Sequence, residues 1–386
     1  MTQYRSIPFG RPWITDEERS AVMEVLHGHI LTHGPQCKAF ETQFAAFVGD
    51  GAHCVTVSSG MAALHLAYLH FGIGDGDEVI VPAQTHVATV HAVEWVGARP
   101  VFVDCDPNTG NLTAEDIAAA VTRRTKAISV VHFLGIPCAM PEIMEVARRH
   151  GLKVVEDCAL AVGAHYQGRH VGLFGDVGCF SFYPAKHITT GEGGMFITRH
   201  EEVAQGVAKL RAFGVDRSYA ERTIPGIYDV PVLGLNYRMS EMQAALGRVQ
   251  LGRVQEILDR RRANFDSLKR GLFGVDGLTV LDCHSAESQN SHYCLSLVLD
   301  RADREQRDAA VTRLNAAGIG TSIYYPHPVP RLAYYRNKYG YDLSHFPQAT
   351  RISDQAIALP VGPHIDEADV AYIVEQVHMA LKGTIA

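Results

Sequence analysis

The sequence predicts an α/β fold: a mostly parallel sheet with helices on both faces, followed by a smaller α+β unit. Three observations carry this. Short, nearly continuous apolar runs alternate with amphipathic stretches from about residue 54 to residue 159. Such runs read as strands buried on both faces, because helical crossovers cover the two sides of a parallel sheet. Beyond a long helical stretch the order of elements changes, and strands become sparse.

Taken in order, Thr15-Asp-Glu-Glu18 is a capping box that opens a helix, ITDEERSAVMEVLHG. A polar link, LTHGPQ, leads to a second helix, KAFETQFAAFVG. Then come strand and helix pairs: CVTVSS with GMAALHLAYLHFG, EVIVPA with THVATVHAVEWVG, and RPVFVDCD with TAEDIAAAVTRRT. KAISVVHF with MPEIMEVARRHG follows, and KVVEDCA closes the series. GCFSFYPAK and GGMFITR are two further strands. The spacing of Leu246, Val249, Leu251, Val254 and Ile257 predicts one long helix from about 240 to 272. HYCLSLVLD, the helix DREQRDAAVTRLNAAG, GTSIYYP and a last helix, IDEADVAYIVEQVHMALKG, make the smaller unit. The expected division is a large domain with its N-terminal segment over 1–250, and a long helix with a small domain over 251–386.

The chain has 386 residues, 47% hydrophobic and 20% charged, with a net charge of −7. That balance argues against a nucleic-acid partner, and short basic clusters such as Arg260-Arg261-Arg262 read as solvated helix faces. No apolar run approaches the ~20 residues of a membrane span, and MTQYRSIPFGRPWITDEE has no apolar signal core. The expectation is a cytoplasmic protein without a membrane partner. The eight cysteines form no CxxC pair and read as reduced, buried thiols. The 20 histidines show no metal spacing, so no metal is assigned.

Ligands of open α/β sheets bind beyond the carboxyl ends of the strands. Four such ends carry suggestive groups. At Ser58-Ser59-Gly60-Met61, Gly60 permits close approach to the backbone and the helix start offers N–H groups to an anion. Taken alone, an ordinary serine N-cap is the stronger reading there. Thr85-His86 places an imidazole where it either stacks on a flat ligand or caps a helix. Glu156-Asp157 puts carboxylates after apolar positions, where burial without a partner costs several kcal/mol. An N-terminal helix cap is an equal reading of that pair. In FSFYPAKHITTGEGGM (180–195), Ser181 offers a hydroxyl and Lys186 an amine whose pKa falls if it leaves water. A solvated lysine is the ordinary reading of such a residue. Anion cradle, carboxylate, ring partner and amine together are what pyridoxal phosphate (PLP) requires.

The chain resembles the DegT/DnrJ/EryC1/StrS family of PLP-dependent sugar aminotransferases over nearly its whole length. The resemblance rests on LTHGPQCKAFE (31–41), SSGMAALHLA (58–67), VIVPAQTHVATV (79–90) and VVEDCALAVGA (154–164). FSFYPAKHITTGEGGM (180–195), GLNYRMSEMQAALG (234–247), PHPVP (326–330) and ISDQAIALPVGP (352–363) complete it. It implies fold type I with a seven-stranded type of sheet, and Lys186 as the lysine that forms an imine with the cofactor. Asp157 would pair with the pyridinium nitrogen, and His86 would stack on the ring. Backbone amides of Gly60 and Met61, with the Ser181 hydroxyl, would hold the phosphate. Asn236 would reach that phosphate from a neighbouring subunit, so the resemblance also implies a homodimer with shared active sites.

The family pattern further implies L-glutamate as amino donor, pyridoxamine phosphate as the aminated cofactor, and a keto-sugar acceptor. ITTGEGGM resembles the branch that aminates C4 of nucleotide-linked 4-keto-6-deoxysugars, in surface polysaccharide or glycoside biosynthesis. Two departures stand out: Leu160 where many relatives carry Gln, Glu or His, and Met61 where Thr is common. A related sugar dehydratase would carry histidine in place of Lys186, and here the histidine comes one position later, at His187. The same resemblance is compatible with an aminotransferase for free keto-sugars and with a non-catalytic PLP-binding regulator.

Overall fold

The structure, a computed structural model, describes residues 5–32, 34–216, 224, 226–283 and 285–382. Thr15 caps α1 (Asp16–His27): its N–H donates to Glu18 Oε2 at 2.7 Å, and its hydroxyl accepts from the backbone in the predicted capping box. Gly34 precedes α2 (Pro35–Val48), which begins with proline, where the missing N–H costs nothing.

The alternating region folds as read. It runs β1 (His53–Val57), α3 (Gly60–His70), β2 (Glu78–Pro82), α4 (Val87–Trp95), β3 (Arg99–Val103), α5 (Ala114–Ala120), β4 (Thr125–Val131), α6 (Met140–His150) and β5 (Lys153–Asp157). A short hairpin, β6 (His165–Tyr166) and β7 (Arg169–His170), precedes β8 (Val177–Ser181) and β9 (Gly194–Thr198), and α7 (Glu201–Leu210) follows. The sheet has seven strands in the order β1-β9-β8-β5-β4-β2-β3. Only β9 among them runs antiparallel to its neighbours, pairing with β1 and β8. Every residue of β2 and of β9 is buried, as a strand covered on both faces requires. α3 is buried on nearly all sides through Ala62, Ala63, Leu64, Leu66, Ala67 and Tyr68, so its start is held rigidly against the sheet.

The predicted long helix is two. α8 (Glu241–Gly252) ends and α9 (Val254–Gly271) begins at Arg253, whose backbone leaves helical geometry at φ −109° and ψ 8°. The break has a cause in α1. The Arg253 guanidinium pairs with buried Glu18, donates to Trp13 O at 3.1 Å and lies over the Trp13 ring at 4.7 Å. Gln250 Nε2 also donates to Glu18 at 2.7 Å. Burial pushes the Glu18 carboxyl up, yet the bonds from Thr15 and Gln250 outweigh it and bring its pKa down to about 2. A charged anchor across helices thus overrides an apolar pattern that continues through the bend.

The C-terminal part adds β10 (Leu278–Val280), β11 (Ser288–Gln289), β12 (Leu295–Leu299), α10 (Arg304–Ala316), α11 (Ala333–Tyr339), α12 (Pro347–Gln355), β13 (Ala356–Leu359) and α13 (Glu367–Leu381). β10, β12 and β13 form a second, antiparallel sheet. β11 pairs instead with β6, tying this part to the large sheet's flank. GTSIYYP is not a strand: Ser322 makes a single bridge to Ala358 before the chain turns inward. No helix among the described residues is long and apolar enough to cross a membrane.

Near the end of β5, Glu156 ties the segment that enters β8 to this strand. Glu156 is fully buried and accepts from Gly172, Phe174 and Gly175 N–H groups at 2.7–2.9 Å. His132 Nε2 donates to it as well, at 2.9 Å, because His132 Nδ1 is occupied by the Cys138 N–H. Glu156→Ala is expected to strand these donors and cost about 3–5 kcal/mol. A thermal unfolding midpoint equal to that of the parent protein would refute this account.

Candidate active site

Side chains alternate along a strand, so Asp157 faces the opposite way from Glu156. It is 6% exposed and accepts from the Ala159 N–H through Oδ1 at 3.0 Å and from the Thr89 hydroxyl through Oδ2 at 2.8 Å. Its outer side borders a cavity of about 420 Å³. Gly60, Met61, His86, Ser181 and Lys186 border the same cavity. Six of the seven candidate residues therefore converge, from four separate strand ends. The seventh, Asn236, is exposed and outside that lining.

The helix start at α3 is built by Ser59, whose Oγ accepts from the Ala62 N–H at 3.1 Å. The serine N-cap and the anion site are thus compatible, since the first-turn N–H groups of a helix have no partner within it. Gly60 is needed for close packing: a Cβ there would lie 2.9 Å from Ser181 Cβ and 3.3 Å from Phe180 O. Gly194 packs as closely from β9, where a Cβ would come within 2.5–2.6 Å of the Ser59 carbonyl. Backbone contact therefore sets the spacing between the α3 start and the Ser181 hydroxyl.

His86 fills the capping role of the two that sequence left open. It caps α4, its Nδ1 accepting from the Ala88 N–H at 3.1 Å, while its ring borders the cavity. With Nδ1 so occupied, the neutral ring carries its proton on Nε2. Burial lowers its pKa, and the nearby Lys186 charge adds to the effect.

Lys186 follows β8 in a turn closed by its own N–H to Tyr183 O at 2.9 Å. Its amine lies 5.5 Å from the centre of the Tyr293 ring. Burial brings its pKa down to about 8, against the opposing pull of Asp157. His187 does not border the cavity: its Nε2 donates to Ser291 O at 2.9 Å, on the far side of the chain. Leu160 borders the cavity through an apolar side chain, while its carbonyl accepts from Ser291 Oγ at 3.0 Å.

Sequence reasoning missed Thr89, Glu192 and Tyr325. Thr89 is fully buried on α4, one turn beyond Thr85, and that i,i+4 spacing of hydroxyls was the available signal. Glu192 stands at the cavity within the GEGG stretch. Tyr325 arrives from the C-terminal part and has no local signal, because the inward turn after Ser322 places it.

The DegT/DnrJ/EryC1/StrS aminotransferase family model matches residues 12–378, and the chain belongs to that family. It is a PLP-dependent aminotransferase. A UDP-N-acetyl-3-dehydro-alpha-D-glucosamine 3-aminotransferase from Acidithiobacillus ferrooxidans is 37% identical, over 96% of this chain and 95% of that one. A GDP-perosamine synthase from Escherichia coli O157:H7 is 36% identical, over 96% and 98%. Among solved structures, Spr1654 from Streptococcus pneumoniae in its PLP form superposes with a TM-score of 0.93 at 28% identity, covering 99% of this chain and 100% of its own.

The residues around the cavity fit that cofactor. Each Asp157 oxygen spends one lone pair on its hydrogen bond and keeps another, and so buried a carboxylate wants a cationic or N–H partner. An amine with a pKa of about 8 is poised to react with an aldehyde. Below about pH 8 the Lys186 amine holds its proton, and above it the neutral nucleophile prevails. The rate at which cofactor-free protein takes up PLP should therefore rise between about pH 7 and about pH 9 and then level off. Stopped-flow absorbance would measure it, and a flat profile would contradict the assignment.

Proposed function

We propose that this enzyme moves an amino group from L-glutamate to a nucleotide-linked 4-keto-6-deoxysugar, yielding an amino-sugar for surface polysaccharide or glycoside biosynthesis. The observation that carries the reading is the shared cavity of Lys186 and Asp157. In it, Lys186 would tether the cofactor, and Asp157 would hold a proton at the pyridine nitrogen. His86 packs on the ring; Gly60 and Met61 N–H groups and the Ser181 hydroxyl bind the phosphate. Asn236, exposed and outside its own cavity, serves the site of a second copy, so the working unit is a homodimer. The large domain, 1–250, carries the cofactor end, and the small domain, 251–386, contributes Tyr325 to the substrate side. We place the enzyme in the cytoplasm.

When bound, PLP supplies an electron sink for the carbon next to the transferred nitrogen. The chain supplies the rest. With the cofactor bound and its amine released, Lys186 Nζ would be the base that takes the α-proton. The same nitrogen later returns a proton, so one residue acts as base and then as acid. Asp157 would accept from the protonated ring nitrogen. Burial of Lys186 makes the exchange of roles easy near neutral pH, since both protonation states are close in energy at about pH 8.

The choice of C4 rests on ITTGEGGM and on similarity to the perosamine synthase, while the 3-aminotransferase is as similar. A direct test decides both halves. The holoenzyme's visible band should give way to a near-ultraviolet one on adding glutamate, and Lys186→Ala should abolish turnover. A panel of nucleotide-linked 4-keto-6-deoxysugars, their 3-keto isomers and the free keto-sugars should then return an amine at C4 of a nucleotide-linked substrate. A visible band unmoved by glutamate would overturn the donor, and amination at C3 or of free sugars would overturn the acceptor.

A further inference from the structure

Asp157 is oriented by a chain of hydroxyls that no other part of the site explains. Thr89 Oγ1 lies 2.8 Å from Asp157 Oδ2 and 2.8 Å from Thr85 Oγ1. All three side chains are at least nine-tenths buried, Thr89 fully and Thr85 at 2% exposure. An ionised carboxylate only accepts, so Thr89 spends its single proton on Asp157. Thr85 must then donate to Thr89, and the chain has one direction, from the cavity wall at Thr85 towards Asp157. Two hydroxyls that were free to rotate are each left with one orientation.

The second oxygen is fixed independently by the Ala159 N–H at 3.0 Å. One bond on each oxygen pins the plane of the carboxylate as well as its position. The remaining lone pairs are thereby directed, and on the proposed reading one of them meets the pyridine nitrogen. We propose that Thr89, held by Thr85, is a positioning residue of amino transfer: its hydroxyl sets the carboxylate plane of Asp157. This rests on the role given to Asp157 above. α4 thus serves the site twice, through His86 at its cap and through Thr89 one turn in.

The test compares Thr89→Val, which keeps the shape and removes the hydroxyl, with Thr89→Ser, which keeps the hydroxyl. Thr89→Val holoenzyme is expected to lose about tenfold or more in kcat, with the KM for glutamate changed less than about threefold. Its affinity for PLP should fall, and the pH midpoint of its visible absorption band should move, the second a readout that a packing defect alone would leave in place. Thr89→Ser should restore all three. If Thr89→Val does not fold, Thr89→Ala is compared with Thr89→Ser in its stead. Thr89→Val with parental kcat, PLP affinity and band midpoint, beside an inactive Asp157→Asn, would overturn the positioning role alone. Asp157→Asn with parental activity and spectrum would instead overturn the reading of Asp157 on which it rests.

Discussion

A single buried carboxylate, that of Glu156, organises the half of the sheet that holds the chemistry. Burying a charge is costly unless its hydrogen-bonding capacity is met, and four donors meet it here. Three of them belong to the backbone of residues 172–175, the segment that enters β8. Where β8 starts determines where it ends, and hence where Ser181 and the turn carrying Lys186 lie. The hydrogen bonds that offset the cost of burying this carboxylate also place one strand relative to another.

The next residue along, Asp157, shows how close structural and chemical roles stand in this fold. Period-two alternation sends the two carboxylates to opposite faces of one strand. One is saturated by three backbone donors and the His132 ring; the other keeps lone pairs facing the cavity. Gly60 and Met61 come from the start of α3, His86 from the cap of α4, and Ser181 and Lys186 from the end of β8 and the turn after it, all carboxyl-end positions of the same sheet, while Tyr325 comes from the C-terminal part.

Most of this was legible in the sequence because the signals were local. Apolar runs located the strands of the parallel part, Thr15 and Glu18 the first helix start, and strand-end polar residues the cavity. Features set by distant contacts were not legible. The break at Arg253 depends on Glu18 and Trp13, more than 230 positions away, and the helical pattern runs straight through it. GTSIYYP has strand-like composition but lies beside β13 with one bridge, so its last tyrosine ends in the cavity instead of in a sheet. The site divides in the same way. Its residues at strand ends could be read from the sequence, whereas Thr89 sits inside a helix and only the fold makes it a partner of Asp157.

The close approach of Gly60 to Ser181, and of Gly194 to Ser59, has a consequence for how such an enzyme diversifies. The spacing between the start of α3 and the end of β8 is held by contacts too tight to admit even a methyl group. No side-chain exchange elsewhere in the cavity retunes that gauge. Met61, Leu160, Glu192 and Tyr325 border the cavity without taking part in those two glycine contacts. The cavity thus has one wall that is fixed and another that is replaceable. New acceptors can be explored at the second without re-inventing the first.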